Sequence, residues 1–477
     1  MNSSAHKNYQ SARIAHWDEI ACKQDTWSGL GGYYHQRIID VYRFLIPPAQ
    51  KVLEIGCGHG DLLAALQPTT GVGIDFSPEM IQRAKKRYPG LRFIQADAHD
   101  FEIETTFDTV ILSDLVNDVW DVQQVFQCVY KVCRPETRII LNTYSRLWEP
   151  LLSLAENLNL AKPVLHQNWL TVDDIDDLLY LENFEIIRSW PEVLLPFRFP
   201  GLAGLCNRYL VKLWPFKYLA LTNFILARPL AGDFERQATP SVSVMVPARN
   251  ESGNIPTIFT QVPELGRQTE LVFVEGHSTD DTYAAIKLEI QNHPERPAKL
   301  EHQDGKGKGD AVRKGFSIAV GDILMILDAD LTVPPEDLVR FYDALVSGKA
   351  EFVNGVRLVY PMEGEAMRFF NLVGNKFFSR VFTWLLGQPI KDTLCGTKVL
   401  WKRDYERIAA NRAYFGDFDP FGDFDLLFGA ARLGLKIVDL PVRYRERTYG
   451  TTNINRWKHG WLLLQMVTFA AGKIKFV

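Results

Sequence analysis

The sequence predicts an α/β chain with two consecutive domains, residues 1–235 and 236–477. Its 477 residues exceed the usual size of one domain, and 47% of them are hydrophobic against 23% charged, which is typical of a globular chain. Short apolar runs alternate with segments of helical period, first from Lys51 and again from Ser241. This alternation indicates two sheets of mainly parallel strands with crossover helices. The polar stretch LAGDFERQATP between the two series is the predicted linker.

Each apolar run is a predicted strand. In the first domain these are KVLEIG, GVGID, LRFIQAD, FDTVILSD and RIILNTY, with FEIIRSW and YLALTNFILARP closing the sheet. In the second domain they are SVSVMVP, ELVFVEG, DILMILDAD, EFVNGVR and LKIVDLPVRYRE. Because side chains that follow parallel strands meet at one edge of a sheet, the residues at the ends of these runs are the first candidates for function.

Composition excludes several classes of protein. The net charge of −4 provides no basic field, so we expect no nucleic-acid partner. The six cysteines form no C-x-x-C pair, which argues against a disulfide framework or a zinc site and favours a reducing, cytoplasmic location. The first residues lack the apolar centre of a signal peptide, and no run of about 18 apolar residues predicts a membrane-spanning helix.

The stretch VLEIGCGHGDLLAAL reads as a strand, a glycine-rich turn and a helix. The turn glycines allow tight backbone turns and close approach to a ligand; they are Gly56, Gly58 and Gly60. Asp75 ends the next predicted strand, where a carboxylate can accept hydrogen bonds from ribose hydroxyls. A dinucleotide fingerprint would continue with another glycine, but the chain has Asp61, whose charge would repel a pyrophosphate. S-adenosylmethionine (SAM) has no phosphate and a cationic amino group, and so suits this turn and Glu54.

The segment from Glu54 through the three glycines resembles motif I of the class I SAM-dependent methyltransferases, and DFSPEMIQRAK and IQADA resemble their second and third motifs. The resemblance covers roughly residues 35–235 and implies a Rossmann-like fold. It implies that the glycine turn binds the methionine end of SAM and that Asp75 binds the ribose. It also implies that Asp97 binds the adenine amino group, with the backbone of Ala98 beside it.

The methyl acceptor is less closely specified. Asp114, at the end of ILSD, matches the family position that faces the methyl group, and it is our candidate catalytic base; the alternative is that it only lines the pocket. GGYYHQRI resembles the family's N-terminal lid helix, so Tyr34 and His35 are candidate cofactor contacts, although a lone histidine on a helix is more often structural. No N-P-P-Y-type tetrapeptide is present, which favours a small-molecule or lipid-linked acceptor over a nucleic acid.

The second domain contains a paired-acid motif. The apolar run ILMILDADL ends in Asp328 and Asp330, and two carboxylates at a strand end can bind one Mg²⁺ or Mn²⁺. Such an ion would stabilise charge that develops on a nucleoside diphosphate leaving group. A D-x-D triplet alone is weak evidence because many surface turns contain one, but its place after a buried strand strengthens it.

The surrounding motifs resemble those of family 2 glycosyltransferases, which have the GT-A nucleotide-diphospho-sugar transferase fold. DADLTVPPEDL is similar to the segment of polyprenyl-phosphate (dolichol-phosphate) sugar synthases, and the resemblance covers about residues 240–460. The resemblance implies contacts to the nucleotide-diphosphate sugar from the following residues: Pro247, Arg249, Glu251, Glu275, Lys308, Asp328, Arg357, Arg368 and Asp392. The chain departs from the family pattern at Glu275-Gly276, Thr332 and Asn453.

The same resemblance suggests the catalytic groups. FGDFDLL aligns Asp423 with the family's catalytic acid, and PVRYRERTYGTTN places Arg447 at a phosphate-binding arginine. A lipid phosphate acceptor is already ionised and needs no base, in which case Asp423 orients groups and arginines bind the phosphate. The structural alternatives are that Asp423 caps a helix and that Arg447 is an ordinary surface arginine.

The sequence thus predicts a bifunctional enzyme that transfers a methyl group from SAM and a sugar to a polyprenyl phosphate or a cell-surface glycan. The alternative is an active methyltransferase attached to a non-catalytic scaffold that binds a nucleotide sugar. Three apolar segments contain or adjoin basic residues: FFNLVGNKFFSRVFTWLLG, RWKHGWLLLQMVTFAAGKIKFV and LAGLCNRYLVKLWPFKYLAL. They predict either packing on the core or peripheral contact with the cytoplasmic face of a membrane.

Overall fold

The computed structural model describes residues 4–23, 30–157, 165, 167–230, 239–357, 359, 369–414, 424–445, 447, 449 and 456–477. The chain forms two compact units, Met1–Leu230 with Phe476–Val477, and Ala231–Lys475. Residues 231–238 lie outside the described part, so the boundary expected after residue 235 stays a prediction.

The first unit is built on a seven-stranded sheet with the order β3-β2-β1-β4-β5-β7-β6. Its strands are β1 Lys51–Ile55, β2 Thr70–Asp75, β3 Arg92–Gln95, β4 Thr109–Ser113, β5 Arg138–Tyr144, β6 Phe184–Glu192 and β7 Thr222–Pro229. The first five strands are parallel, and β7 pairs antiparallel with both β5 and β6. The strand order reverses beside β1, and a crevice at the carboxyl edge is expected at such a point.

Helices on both faces cover this sheet. They are α1 Ser4–Lys23, α2 Leu30–Leu45, α3 Asp61–Ala65, α4 Pro78–Arg87, α5 Val122–Tyr130, α6 Glu149–Asn157, α7 Val172–Leu181 and α8 Leu202–Arg208. Local sequence explains several of their starts: the Ser77 hydroxyl accepts from Met80 N at 3.1 Å and Pro78 takes the first position of α4. Thr171 and Asp174 form a reciprocal capping box at α7.

The second unit also has seven strands, in the order β10-β9-β8-β11-β13-β12-β14. They are β8 Val242–Ala248, β9 Thr269–Glu275, β10 Ala298–His302, β11 Ile323–Ile326, β12 Phe352–Val356, β13 Lys398–Trp401 and β14 Ile437–Pro441. Only β13 among these runs antiparallel to its neighbours. The helices are α9 Ile255–Gln261, α10 Thr282–Asn292, α11 Lys308–Ile318, α12 Leu338–Val346, α13 Phe369–Leu386, α14 Lys402–Ala410, α15 Phe424–Arg432 and α16 Arg456–Ala470.

The apolar segments predicted to pack or to touch a membrane behave differently from one another. In α13, Phe382 and Leu386 are buried in the core of the second unit, and Met466 of α16 joins the same cluster. The segment around α8 instead leaves most of its large apolar side chains exposed. Among the described residues, no helix is both long enough and apolar enough to cross a membrane.

Candidate active sites

The glycine turn after β1 has the backbone that its sequence requires. Gly56, Gly58 and Gly60 have φ values of 75°, 50° and 78°, all in the left-handed region. A Cβ at Gly56 would lie 2.8 Å from Leu115, and one at Gly60 would lie 2.6 Å from the ring of Phe93. Among the described residues, no atom lies within 4 Å of a Cβ built on Gly58. The first and third glycines therefore allow close packing, while the space beside Gly58 can admit a ligand.

Two buried carboxylates brace this turn. Glu54 Oε2 accepts from Leu63 N at 3.0 Å, and burial raises the pKa of Glu54 well above its usual value. Asp75 accepts from Gly58 N and from Ser77 N, each at 2.9 Å. Burial raises the pKa of Asp75 to about 6, although both hydrogen bonds oppose that rise. Because each carboxylate oxygen has a second lone pair, Asp75 can still accept from a ligand hydroxyl.

Asp97 lies after β3 beside the buried Ala98, and helix α1 covers it. Gln10 Nε2 donates to its Oδ2 at 2.5 Å, and His99 donates to its Oδ1 from the backbone at 2.9 Å. The ring Nδ1 of His99 lies 2.6 Å from the same oxygen, and its Nε2 accepts from Asp121 N at 3.1 Å. Burial opposes ionisation, but the hydrogen bonds from His99 leave the pKa of Asp97 below its usual value.

Asp114 belongs to a polar network under helix α2. Its φ is 53°, and its Oδ1 accepts from Tyr34 OH at 2.8 Å and from Asn142 Nδ2 at 2.5 Å. Asn142 Oδ1 in turn accepts from Tyr42 OH at 2.8 Å, and the Tyr34 hydroxyl is 3.2 Å from Thr222 Oγ1. Burial raises the pKa of Asp114 to about 7 against the lowering effect of its two donors. The network therefore positions an acid that titrates near neutrality at the end of β4.

In the second unit, each acid of the D-x-D triplet has a basic partner. Lys308 Nζ lies 2.6 Å from Asp328 Oδ1, and Arg447 Nη2 lies 2.5 Å from Asp330 Oδ2. The Thr332 hydroxyl and backbone N–H both donate to Asp330 Oδ1, at 2.8 and 3.1 Å. Thr332 stands where the polyprenyl-phosphate sugar synthases that the segment resembles have glutamine. Its two hydrogen bonds orient the carboxylate of Asp330.

Two further acids lie at the carboxyl ends of neighbouring strands. Beyond β8, Glu251 Oε1 lies 3.6 Å from Arg447 Nη1, and burial raises the pKa of Glu251 to about 7 despite that guanidinium. At the end of β9, Glu275 accepts from Ser278 N at 2.5 Å and pairs with His302 Nδ1 at 3.1 Å. Burial opposes ionisation of Glu275, but these partners leave its pKa lowered. Pro247 is half-buried and Arg249 is exposed at the same end of β8.

Arg357 and Asp392, predicted as separate ligand contacts, bind each other. Arg357 Nε and Nη2 donate to the two Asp392 oxygens at 2.7 and 2.9 Å, and Asp392 is buried. Burial opposes the charge on both, but their pairing lowers the pKa of Asp392. The guanidinium fork is already used in this arrangement, which favours a structural role over phosphate binding, and the predicted ligand contacts stay untested.

Three residues singled out from the sequence lie outside the described part of the chain: Arg368, Asp423 and Asn453. Their predicted roles stay predictions. Near the second of them, Asp425 is buried on α15 and pairs with Arg412 Nε at 3.2 Å. His35 on α2 is half-buried, with its ring centroid 5.4 Å from that of Tyr34.

Several site residues were missed by sequence reasoning. Asn142 on β5 and Thr222 on β7 join the Asp114 network, and His302 on β10 pairs with Glu275. For Asn142 the sequence did offer a signal, because a polar residue inside the apolar run RIILNTY indicates a buried hydrogen-bonding role. Asp61, expected to repel a pyrophosphate, instead accepts from Arg87 at 2.9 Å and Tyr88 at 2.7 Å, so its charge is partly compensated.

Two family models match the chain. A model described as "Methyltransferase domain" matches residues 46–184, and one described as "Glycosyl transferase family 2" matches residues 243–407. These matches confirm the two resemblances drawn from the motifs, and the chain is a transferase.

Curated relatives match just under half of the chain. Glycosyltransferase AglJ of Haloferax volcanii is 26% identical over 225 residues, which are 47% of this chain and 69% of that protein. A dolichol-phosphate mannosyltransferase of Pyrococcus furiosus is 27% identical over 221 residues, 45% of this chain and 59% of that protein. Among solved structures, magnesium protoporphyrin IX methyltransferase from Synechocystis PCC 6803 matches 47% of this chain and 98% of its own, with 16% identity and a TM-score of 0.33.

Proposed function

We propose that this chain, whose halves match a methyltransferase domain and glycosyltransferase family 2, is a bifunctional enzyme. One unit would transfer a methyl group from SAM. The other would use Mg²⁺ or Mn²⁺ to transfer sugar from a nucleotide diphosphate to a lipid phosphate or cell-surface glycan. One observation supports this most directly: each unit has its own set of acidic side chains at the carboxyl edge of its own sheet.

The residues of the first unit fit SAM. The open space beside Gly58 adjoins Asp75, whose carboxylate is fixed by two backbone donors and can accept from ribose hydroxyls. Asp97 can accept from the adenine amino group once the Gln10 side chain releases its Oδ2. SAM supplies an activated methyl group, and the chain supplies position and a proton acceptor.

Asp114 is the proposed proton acceptor. Both donors described above bind its Oδ1, which leaves Oδ2 to receive a proton from an acceptor hydroxyl while that oxygen takes the methyl group. A pKa of about 7 means that a substantial fraction of Asp114 is ionised at neutral pH and yet basic enough to accept a proton. Tyr34 and Asn142 would hold the carboxylate in place.

The residues of the second unit fit a divalent cation and a diphosphate. Asp328 and Asp330 are hard oxygen ligands of the kind that Mg²⁺ and Mn²⁺ prefer, and their charges are balanced by Lys308 and Arg447. Bound there, the ion would stabilise negative charge on the leaving nucleoside diphosphate. Lys308 and Arg447 would then be released from the acids to bind phosphate oxygens.

The acceptor is proposed from the curated relatives. One of them is named a dolichol-phosphate mannosyltransferase, which supports a polyprenyl phosphate as the acceptor of the glycosyltransferase unit. The methyltransferase unit would modify the same product or its precursor, because fusion keeps two sequential enzymes at high effective concentration. If the acceptor is lipid-linked, the chain would bind the membrane as a peripheral protein.

The test is calorimetric titration of the full chain with SAM, then with UDP and GDP in the presence and absence of Mn²⁺. We expect Asp75→Asn to weaken SAM binding alone and Asp330→Asn to weaken Mn²⁺-dependent nucleotide binding alone, each by about tenfold or more. The matched controls are Asp40→Asn and Asp304→Asn, exposed acids of the first and second units. Failure to bind SAM would reject the first activity, and metal-independent nucleotide binding would favour a non-catalytic scaffold.

A further inference from the structure

Helix α8 of the first unit presents its apolar side to solvent. Leu202, Leu205 and Tyr209 recur at the spacing of one helix face, and all three are exposed. The opposite face buries Ala203 and Asn207 against the unit. The Tyr209 ring also contacts that of Phe476, with centroids 5.1 Å apart, but all three side chains keep a large exposed fraction. An amphipathic helix of a globular protein normally buries its apolar face, so this face indicates a binding surface.

The exposed apolar surface continues on both sides of α8. Trp214, 77% exposed, and Tyr218 follow in the next turns. On α6 and the turn before it, Leu147, Leu151 and Leu154 again recur at helical spacing and are all exposed.

A hydrogen bond of 2.9 Å from Trp148 Nε1 to Leu219 O joins the two segments. We call the combined area the apolar-basic surface; it comprises residues 197–219 with Leu147, Leu151 and Leu154.

The charged side chains in the longer segment of this surface, residues 197–219, are all positive. No aspartate or glutamate occurs between Glu192 and Asp233, whereas Arg198, Arg208 and Lys217 lie among the exposed aromatic and leucine side chains. Of the four bases within residues 197–219, the remaining one, Lys212, is buried and pairs with Glu192, so it does not contribute to the exposed charge. The three exposed bases have no acidic residue in the segment to neutralise them.

We propose that the apolar-basic surface binds the interface of an anionic lipid bilayer. Leucine and phenylalanine side chains can enter the acyl boundary, and Trp214 and Tyr218 combine an apolar body with a polar group, as interfacial residues do. Arginine and lysine stems cover apolar area while their charges reach lipid phosphates. This surface contains no residue assigned to either transfer reaction, so membrane binding by it does not depend on those activities.

A second copy of the chain is a poorer occupant. In a twofold contact the same surface meets itself, so bases of one copy would face bases of the other without acidic partners from residues 193–219. An anionic bilayer provides both the apolar phase and the missing negative charge. Charge complementarity therefore distinguishes the two occupants.

The test is co-sedimentation of the full chain with phosphatidylcholine vesicles, with and without phosphatidylglycerol. We expect binding to the anionic vesicles that weakens with salt. The double variant Leu205→Ser with Trp214→Ser should lose roughly tenfold or more of this binding, because it removes two exposed apolar side chains that would enter the lipid. Arg198→Gln with Lys217→Gln should reduce the preference for phosphatidylglycerol.

Leu181→Ser is the matched control, since Leu181 is 61% exposed on α7 of the same unit but outside the apolar-basic surface. It should bind vesicles like the unmodified chain, and thermal melting checks that every variant is folded. No binding to anionic vesicles would overturn the proposal. So would equal binding by the double variant, or a concentration-dependent dimer that the double variant abolishes while vesicle binding is absent.

Discussion

At the scale of single residues, Gly396 determines how the acids of the second unit are packed. A Cβ at this position would lie 2.0 Å from Asp328 Oδ2 and 2.2 Å from Lys308 Nζ. The glycine is therefore required by close approach: its backbone passes directly over the ion pair between Lys308 and the first acid of the triplet. Since that acid is a proposed metal ligand, the absence of one side chain here shapes the ion and diphosphate site.

We predict that Gly396→Ala weakens Mn²⁺-dependent nucleotide binding by about tenfold or more with little change in stability. The added methyl group must displace Asp328 and Lys308, but both clashing atoms end flexible side chains that can move. Calorimetric titration and thermal melting measure the two effects. The control is Gly374→Ala in α13, where the part of the chain that the structure describes has no atom within 4 Å of the new Cβ. Nucleotide binding by Gly396→Ala at the unmodified level would refute this role.

At the scale of elements, α1 connects the carboxyl ends of two strands in the first unit. Gln10 donates to Asp97 beyond β3. Arg13 Nε and Trp17 Nε1 donate to the carboxylate of Asp118 beyond β4, at 2.9 and 2.8 Å. One helix thus covers Asp97, which the resemblance assigns to the adenine group. Binding of an adenine group at Asp97 must exchange the Gln10 hydrogen bond for one of its own.

We therefore predict that Gln10→Ala tightens SAM binding by a factor of about two to ten, the range expected for removing one competing hydrogen bond. Calorimetry with SAM measures the change. Gln36→Ala is the control, because Gln36 binds Asp40 on the exposed side of α2 and does not contact Asp97. Weaker SAM binding in Gln10→Ala would show instead that α1 stabilises the bound cofactor.

The elements also show where sequence reasoning succeeds. The strand β11 (ILMI) lies inside a long apolar run and was predicted, whereas β10 (AKLEH) mixes polar residues at an edge and β13 (KVLW) is short and flanked by polar residues. Motifs selected Asp75 and Asp114 as candidates, whose roles stay predictions, but they did not select Asn142, since partners on distant strands leave no local signal. The mutual pairing of Arg357 and Asp392 is likewise a tertiary fact that two separate motifs cannot reveal.

At the scale of the whole molecule, both units contain buried acids whose ionisation opposes folding. Burial raises the pKa of Asp114 and of Glu251 to about 7 and that of Asp75 to about 6. Between pH 4 and these values the folded chain holds protons that the unfolded chain has released. Each acid therefore contributes stability that is fully present below its unfolded pKa and is lost as pH rises through its folded pKa.

We predict that Asp114→Asn flattens the pH dependence of thermal unfolding of the first unit between pH 6 and pH 8. Asparagine resembles the protonated acid at all pH values, so the stability that Asp114 loses near pH 7, on the order of 1 kcal/mol, should no longer vary. In differential scanning calorimetry, the change in melting temperature between pH 6 and pH 8 should differ by roughly 2–4 °C between the variant and the unmodified chain. Contributions of groups that both chains share cancel in this comparison, and Asp40→Asn controls for the lost charge. Identical pH dependence in Asp114→Asn and the unmodified chain would mean that Asp114 is ionised throughout this range and cannot be a base tuned to neutral pH.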